Sequence, residues 1–413
     1  MFDTDVVVIG AGPAGLAMSA CLSGRSIDHV VLERAEVANS WRTERWDSLR
    51  LLTPNWMTRL PGAGYTGDDP DGYMTAGEVV GMLDRYAGRV QAPVITGAGV
   101  EAVVTGEHGY IVRSTAGSFA ARAVVVATGA CSDPRIPSLG AELPAALHQL
   151  ASLHYRNPAG LPNGPVLVVG ASASGVQIAD ELSRAGRHVT VAVGRHTRLP
   201  RTYRGRNIHA WMDDLGLLDM RYDSVDDIAK ARRWPSLQLV GSPEQRTLDL
   251  NALRANGVQL VGRLAGVSGG RGQFAGSLAS MCADADLKLG RLLDQIDLLA
   301  DAYAGPDEAR PEPTLVPEPA TSVDLSRFST VVWATGHRPA YPWLEPELLD
   351  RRGAIIHDGG VMSRPGLYAL GLPFLIRRKS SFLDGVGPDA TELAHKIVQH
   401  LDRSRRELAG TGA

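Results

Sequence analysis

The residues of this chain best placed to do chemistry are glycines, one acid and a run of arginines, not nucleophiles. Gly10, Gly12 and Gly15 stand in the spacing G-x-G-x-x-G, directly after the apolar run Val6 to Ile9. A helical pattern follows through Leu22, and a second apolar run, Val30 to Leu32, ends on Glu33 and Arg34. Gly10 permits a tight turn, Gly12 lets the backbone approach a pyrophosphate, and Gly15 lets the new helix pack on its strand. Pro13 and Ala14 open that helix, whose amide-rich N-terminus would face the phosphates. Glu33 falls 23 residues after Gly10, where an acidic side chain meets a ribose hydroxyl. The complete strand–turn–helix–strand–acid unit predicts dinucleotide binding.

The same design recurs at residues 165–182, PVLVVGASASGVQIADEL, with Gly170, Ser172 and Gly175 around Ala173 and Ser174. Here the position matching Glu33 is Val193, and Arg195, His196, Arg198, Arg201, Arg204 and Arg206 follow. Without a carboxylate the site loses the acceptor of an NAD pocket, and guanidinium groups suit the 2′-phosphate of NADP. Arg195 and Arg198 are the expected ligands; a solvated basic loop is the alternative. Two apolar strands each end in Ala-Thr-Gly, at Ala127-Thr128-Gly129 and at Ala334-Thr335-Gly336. Small residues there suit a close backbone approach.

The elements that must position these residues are those of an α/β protein. At 413 residues, with 44% hydrophobic and 21% charged residues, the chain suffices for two or three domains. A net charge of −3 gives no reason to expect nucleic acid or an anionic membrane as partner. Cys21, Cys131 and Cys282 are scattered, so neither a redox dithiol nor a zinc pair is expected, and a reducing, cytoplasmic setting is the default. Asp3 and Asp5 stand where a signal peptide needs positive charge. The turn formers around Asn157-Pro158 and Pro162 to Pro165, and the acidic, proline-rich stretch Gly305 to Ala320, read as linkers. They divide the chain into residues 1–157 with 323–413, and an inserted unit, residues 158–322. A helix is expected over residues 76–90, short strands over 94–126, and a packing stripe at Leu289, Leu292, Leu293, Ile296 and Leu299 within Asp284 to Tyr303. Asp389 fits the N-cap of a closing helix through Leu401.

Two glycine turns, each paired with an Ala-Thr-Gly strand, resemble the two-dinucleotide-binding-domain flavoproteins. The likeness is greatest to flavin-containing monooxygenase-like enzymes of a bacterial branch of about this length. It rests on GAGPAG at 10–15, SWRTERWDSLRLLTPNW at 40–56, YRNPAGLPNGPVLVVGASASGVQIADEL at 155–182, ATGHRPAYPWL at 334–344 and RRKSSFLDGVGPDA at 377–390. The resemblance implies two Rossmann-like domains, with FAD in the first and NADPH in the inserted second. It places Gly10, Gly12, Pro13 and Ala14 at the FAD pyrophosphate and Glu33 at its ribose. Trp41, Arg42 and Thr53 would lie along the flavin, Val100 would offer backbone to the adenine, and Ser174 and Gln177 would join the arginines at NADPH.

The implied activity is transfer of one oxygen atom from O2, through a C4a-(hydro)peroxyflavin, to a nitrogen, sulfur or carbonyl carbon of a small organic substrate. Substrate and O2 are the expected partners, with a homodimer left open. The family fingerprint has a histidine where this linker, HQLASLHYRNP, has Ala151; His148 and His154 are out of register. An oxidase or dehydrogenase without oxygen transfer, or a non-catalytic redox-sensing flavoprotein, are the rival readings. No side-chain acid or nucleophile stands out; Asn55 is the nearest candidate for the family's flavin-proximal asparagine.

Overall fold

The computed structural model describes residues 2–131, 133–302, 306–316, 318 and 320–410, with side chains through residue 406. The chain opens with β1 (Phe2–Ile9), α1 (Pro13–Ser23) and β2 (His29–Leu32), then the short helix α2 (Asn39–Thr43) and α3 (Ala76–Arg89). Thr75 caps α3 through a reciprocal bond pair with Glu78, which explains the abrupt start of that helix. β3 (Val94–Ile95) is followed by the antiparallel meander β4 (Val100–Gly106), β5 (Gly109–Ser114) and β6 (Gly117–Val126).

The second sheet takes β7 (His148–Ala151), β8 (Val166–Val169), α4 (Ala173–Arg184) and β9 (Val189–Val193). Helices α5 (Ile208–Asp214) and α6 (Leu250–Ala255) precede β10 (Gln259–Gly262), and the long helix α7 (Leu278–Ala302) follows. The chain closes with β11 (Thr330–Trp333), β12 (Leu367–Ala369) and α8 (Leu383–Gly410).

The first sheet runs β12-β6-β1-β2-β3 in parallel, with the hairpin 357–362 on its β12 edge. The second runs β7-β11-β8-β9-β10, all parallel. Val6 to Ile9 and Val166 to Val169 are almost fully buried, as unbroken apolar strands require when helices cover both faces. The final strand, β12, pairs with β6, so the chain returns to its first sheet after building the second. The two crossing segments pair with each other, His337 with Pro134 and Arg338 with Asp133.

The sheets correct the expected boundaries. Residues 148–151 and 330–333 are strands of the second sheet, because His148 to Ala151 align with Thr330 to Trp333, which in turn pair with Val166 to Val169. The turn cluster at 157–165 is therefore a loop within the second unit. The proline-rich stretch is no free linker either: Glu312 accepts from Arg198 (2.7 Å), Thr314 donates its backbone N–H to Asp286 (2.8 Å), and Leu315 donates to Asn251 (2.8 Å). Gly305, Pro317 and Pro319 lie outside the described residues, as does Tyr303 beyond the end of α7. Leu289, Leu293 and Ile296 of α7 are buried against Trp211 and Met212, so the stripe is packing.

Candidate functional site

Gly10 takes φ +106°, and a β-carbon there would stand 2.8 Å from the carbonyl oxygen of Ala127. A β-carbon on Gly15 would overlap the carbonyl oxygen of Gly10. Both glycines are thus required by the chain's own packing. Gly12 differs: a β-carbon there meets nothing within 4 Å. Gly12 begins α1, whose first turn has no side-chain cap and no acidic residue, and Pro13 removes one orphan donor. An uncapped N-terminus behind open space is the cradle a diphosphate fits.

Glu33 stands beside this turn, 8% exposed. Its carboxylate accepts from the N–H groups of Ala11 (2.8 Å) and Ala35 (3.2 Å), and lone pairs remain for hydroxyl donors. Arg34 pairs with Glu44 (2.7 Å). A β-carbon on Gly99 would stand 3.9 Å from that of Arg34, which brings Val100 to the same end of the turn. Thr128 is exposed and Gly129 takes φ +75° at the carboxyl end of β6.

The second turn repeats this geometry. Gly170 takes φ +115° against the Ala334 carbonyl, Gly175 packs on Gly170, and Ser172 begins α4 without a side-chain cap or acidic first turn. Ala173 is buried and Ser174 half-buried. Thr335 donates to the Arg135 carbonyl, and Gly336 is exposed at φ +85°. Gln177 is turned away from the turn: it is 7% exposed and donates to the Leu239 carbonyl (2.8 Å). The residue that reaches the turn instead is Gln238, which donates to the Ala171 carbonyl (2.7 Å). No local pattern announces it, since long-range packing brings it there.

The arginine run separates into individual roles. Arg198 is corrected: it is 4% exposed, and Asp249, Asp286 and the Glu312 carbonyl (2.8, 2.7 and 2.7 Å) engage all three of its nitrogens, so it is tied into the protein rather than presented to a phosphate. Its neighbour His196 is buried, and desolvation lowers its pKa. Arg204 pairs with Asp297 and Asp301, and Arg206 with Asp214 beneath a stack on Trp211. Arg195 is exposed beyond the buried Val193, with no ion pair among the described residues.

Arg201 is fully buried without a carboxylate partner among the described residues. It donates to the Leu52 (2.8 Å) and Val240 (2.6 Å) carbonyls and lies 4.8 Å over the Tyr73 ring. Asn207 donates to the Tyr73 hydroxyl (2.7 Å). A β-carbon on Gly241 would overlap the Leu51 carbonyl, and Met57 is buried among Leu199, Tyr203 and Trp211. The segment 51–57 is thereby built into the second unit.

Within that region Thr53 is half-buried and Trp41 carries Arg45 at 5.0 Å over its ring. Arg42 holds Asp84 (2.6 Å) and the Val37 carbonyl (2.9 Å), which anchors α2 to α3. Asn55 is buried. Its amide donates to the Asp69 carbonyl (2.9 Å) and accepts from the Met74 N–H (3.0 Å), so both ends pin the loop 69–74. Asp389 is no cap, because α8 begins at Leu383 and carries Pro388 inside it. Asp389 is fully buried, bound to Arg377 (2.6 Å), and desolvation raises its pKa. All three cysteines are free, with Cys21 and Cys282 buried and Cys131 exposed. Among the described residues no cluster of potential metal ligands occurs, and no helix is long and apolar enough to cross a membrane.

Comparison with known proteins agrees with this geometry. A profile described as pyridine nucleotide-disulphide oxidoreductase matches residues 7–213. An uncharacterized CzcO-like oxidoreductase of Geobacillus kaustophilus is 32% identical over 96% of this chain and 99% of its own. An indole-3-pyruvate monooxygenase of Oryza sativa, YUCCA4, is 28% identical over 96% of this chain and 87% of its own. Among solved structures, a flavin-containing monooxygenase from Stenotrophomonas maltophilia aligns with a TM-score of 0.68, 23% identity, and 97% and 99% coverage. FAD and NADPH are the cofactors of this family. With two uncapped phosphate turns and a profile match across both, the chain belongs to the pyridine nucleotide-disulphide oxidoreductases, as a flavin-containing monooxygenase-like flavoprotein.

Proposed function

We propose that this protein is an NADPH-dependent FAD monooxygenase that transfers one oxygen atom from O2 to a nitrogen, sulfur or carbonyl carbon of a small organic substrate. The observation that carries the reading is the pair of uncapped glycine turns, of which the second lacks a carboxylate at Val193 and presents the exposed Arg195. Bound FAD supplies the redox and oxygen chemistry, and NADPH the reducing equivalents. The chain's part is to hold and orient. The amides after Gly12 and Ser172 bind the two diphosphates, Glu33 accepts from the FAD ribose, and Arg195 pairs with the 2′-phosphate. The segment 51–57, packed against the second unit through Leu51 and Met57, would help keep water from the flavin. The free cysteines suit a cytoplasmic location.

A second reading, an oxidase or dehydrogenase without oxygen transfer, draws on Ala151. It is 1% exposed at the end of β7, paired with Trp333, so no imidazole occupies that register. Turnover under oxygen-18 gas decides between them. One labelled oxygen in the organic product is the expected outcome; label found only in peroxide or water would overturn the monooxygenase reading.

A further inference from the structure

Three consecutive cations precede α8, and their surroundings differ. Arg377 binds Asp389 (2.6 Å) and Glu392 (3.3 Å). Lys379 binds Asp219 (3.0 Å) and Asp384 (2.9 Å). Arg378, between them, makes no ion pair and no side-chain hydrogen bond among the described residues. It is nonetheless half-buried, and burial lowers its pKa with no neighbouring charge to offset the effect. An unpartnered surface arginine is ordinarily solvated. Here protein has displaced the water without supplying a carboxylate.

The guanidinium is also held in place. It lies 5.3 Å over the Trp234 ring, and the Arg378 N–H donates to the Met220 carbonyl at 3.0 Å. Trp234 and Met220 are themselves 55% and 37% exposed, an apolar surface beside an unmatched cation. The location lies between the two units. Residues 371–378 leave the first sheet at the dinucleotide turn, where a β-carbon on Gly371 would stand 2.7 Å from that of Ala14. The facing segment belongs to the second unit: Tyr222 donates its N–H to Ile376 (2.9 Å), and Arg232 donates to the Phe374 carbonyl (3.2 Å).

We propose that Arg378, stacked on Trp234, is a carboxylate-binding subsite for an organic acid with an apolar body, held between the two dinucleotide units. The planar fork offers paired donors to a carboxylate, and Trp234 and Met220 cover the apolar part. That this acid is the oxygen-accepting substrate rests on the monooxygenase reading; the binding site itself does not.

The test uses the FAD-loaded protein without turnover, titrated calorimetrically with phenylacetate and with its uncharged analogue phenylacetamide. Phenylacetate is expected to bind at least tenfold more tightly. Arg378→Gln should weaken phenylacetate at least tenfold, Arg378→Lys less, and Trp234→Leu several-fold, with FAD absorbance and melting temperature retained as the check on folding. Equal affinity for acid and amide, no detectable binding of either, or an unchanged affinity in Arg378→Gln would overturn the proposal. So would competitive displacement of phenylacetate by NADP+, which would assign the guanidinium to the nucleotide. Absence of oxygen-18 from products would remove the oxygenation reading and leave this result standing.

Discussion

The carbonyl oxygen of Ala127 closes over Gly10 so tightly that a β-carbon on the glycine would stand 2.8 Å away. The Ala-Thr-Gly strand end and the glycine turn are therefore one packing unit, and the turn cannot accept a side chain without moving β6. At φ +106°, Gly10→Ala adds left-handed strain of about 1–2 kcal/mol to that clash. Loss of at least tenfold in FAD affinity is expected, together with a lower melting temperature, read from flavin content and thermal unfolding.

Gly12 provides the complementary case. Because nothing of the protein lies within 4 Å of its would-be β-carbon, Gly12→Ala should leave the stability of the flavin-free chain within about 0.5 kcal/mol. On the proposed function, the FAD diphosphate competes for that space. The variant should fold normally yet bind FAD more than tenfold more weakly in a reconstitution titration; unchanged FAD affinity would place the diphosphate elsewhere.

Arg195 and Arg198, three residues apart, should behave differently when replaced by alanine. A charge-assisted hydrogen bond contributes roughly 1.5–3 kcal/mol, so Arg195→Ala should weaken NADPH by about one to two orders of magnitude and leave NADH nearly untouched. Arg198→Ala strands the buried carboxylate of Asp249 and the half-buried one of Asp286 and should cost about 3–5 kcal/mol of stability. Anaerobic stopped-flow flavin reduction measures the first, and urea unfolding the second.

His209 gives the stability a pH signature. Burial, with the Arg201 charge adding to it, pushes its pKa down to about 3 from 6.5. The folded state thus keeps His209 neutral while the unfolded chain takes up a proton below pH 6.5. Stability from this group is complete above pH 6.5 and falls by about 1.4 kcal/mol per pH unit as pH drops toward 3. Between pH 7 and pH 5 the loss is about 2 kcal/mol. His209→Phe should remove that part of the slope in urea midpoints measured at the two pH values.

Both glycine turns were legible in the sequence because each depends on local geometry and on strands whose apolar runs are unbroken. The return of the chain to its first sheet was legible from the order of motifs along it. The arginine run was not. Arg198, Arg204 and Arg206 look alike in sequence, and their carboxylate partners lie 8 to 97 residues away, on α5 and α7 and at the cap of α6. Asn55 and Gln177 are hard to read for a related reason: an amide can serve a ligand or a distant backbone, and here each holds distant backbone. Asp389 fails as a cap because α8 starts six residues earlier, where a β-carbon on Gly385 would overlap the Lys379 carbonyl.

The burial of Met57 beside Leu199 and Trp211, and the Arg201 bond to Leu52, define what can be exchanged between relatives. A chimera cut at the edges of the second sheet would transplant Arg201 and Gly241 without the stretch they grip. It would leave a buried guanidinium facing foreign carbonyls, and an apolar socket without its methionine. The natural cassette therefore comprises the second sheet together with residues 51–57 and the Tyr73 loop, although these lie well upstream of that sheet in the chain.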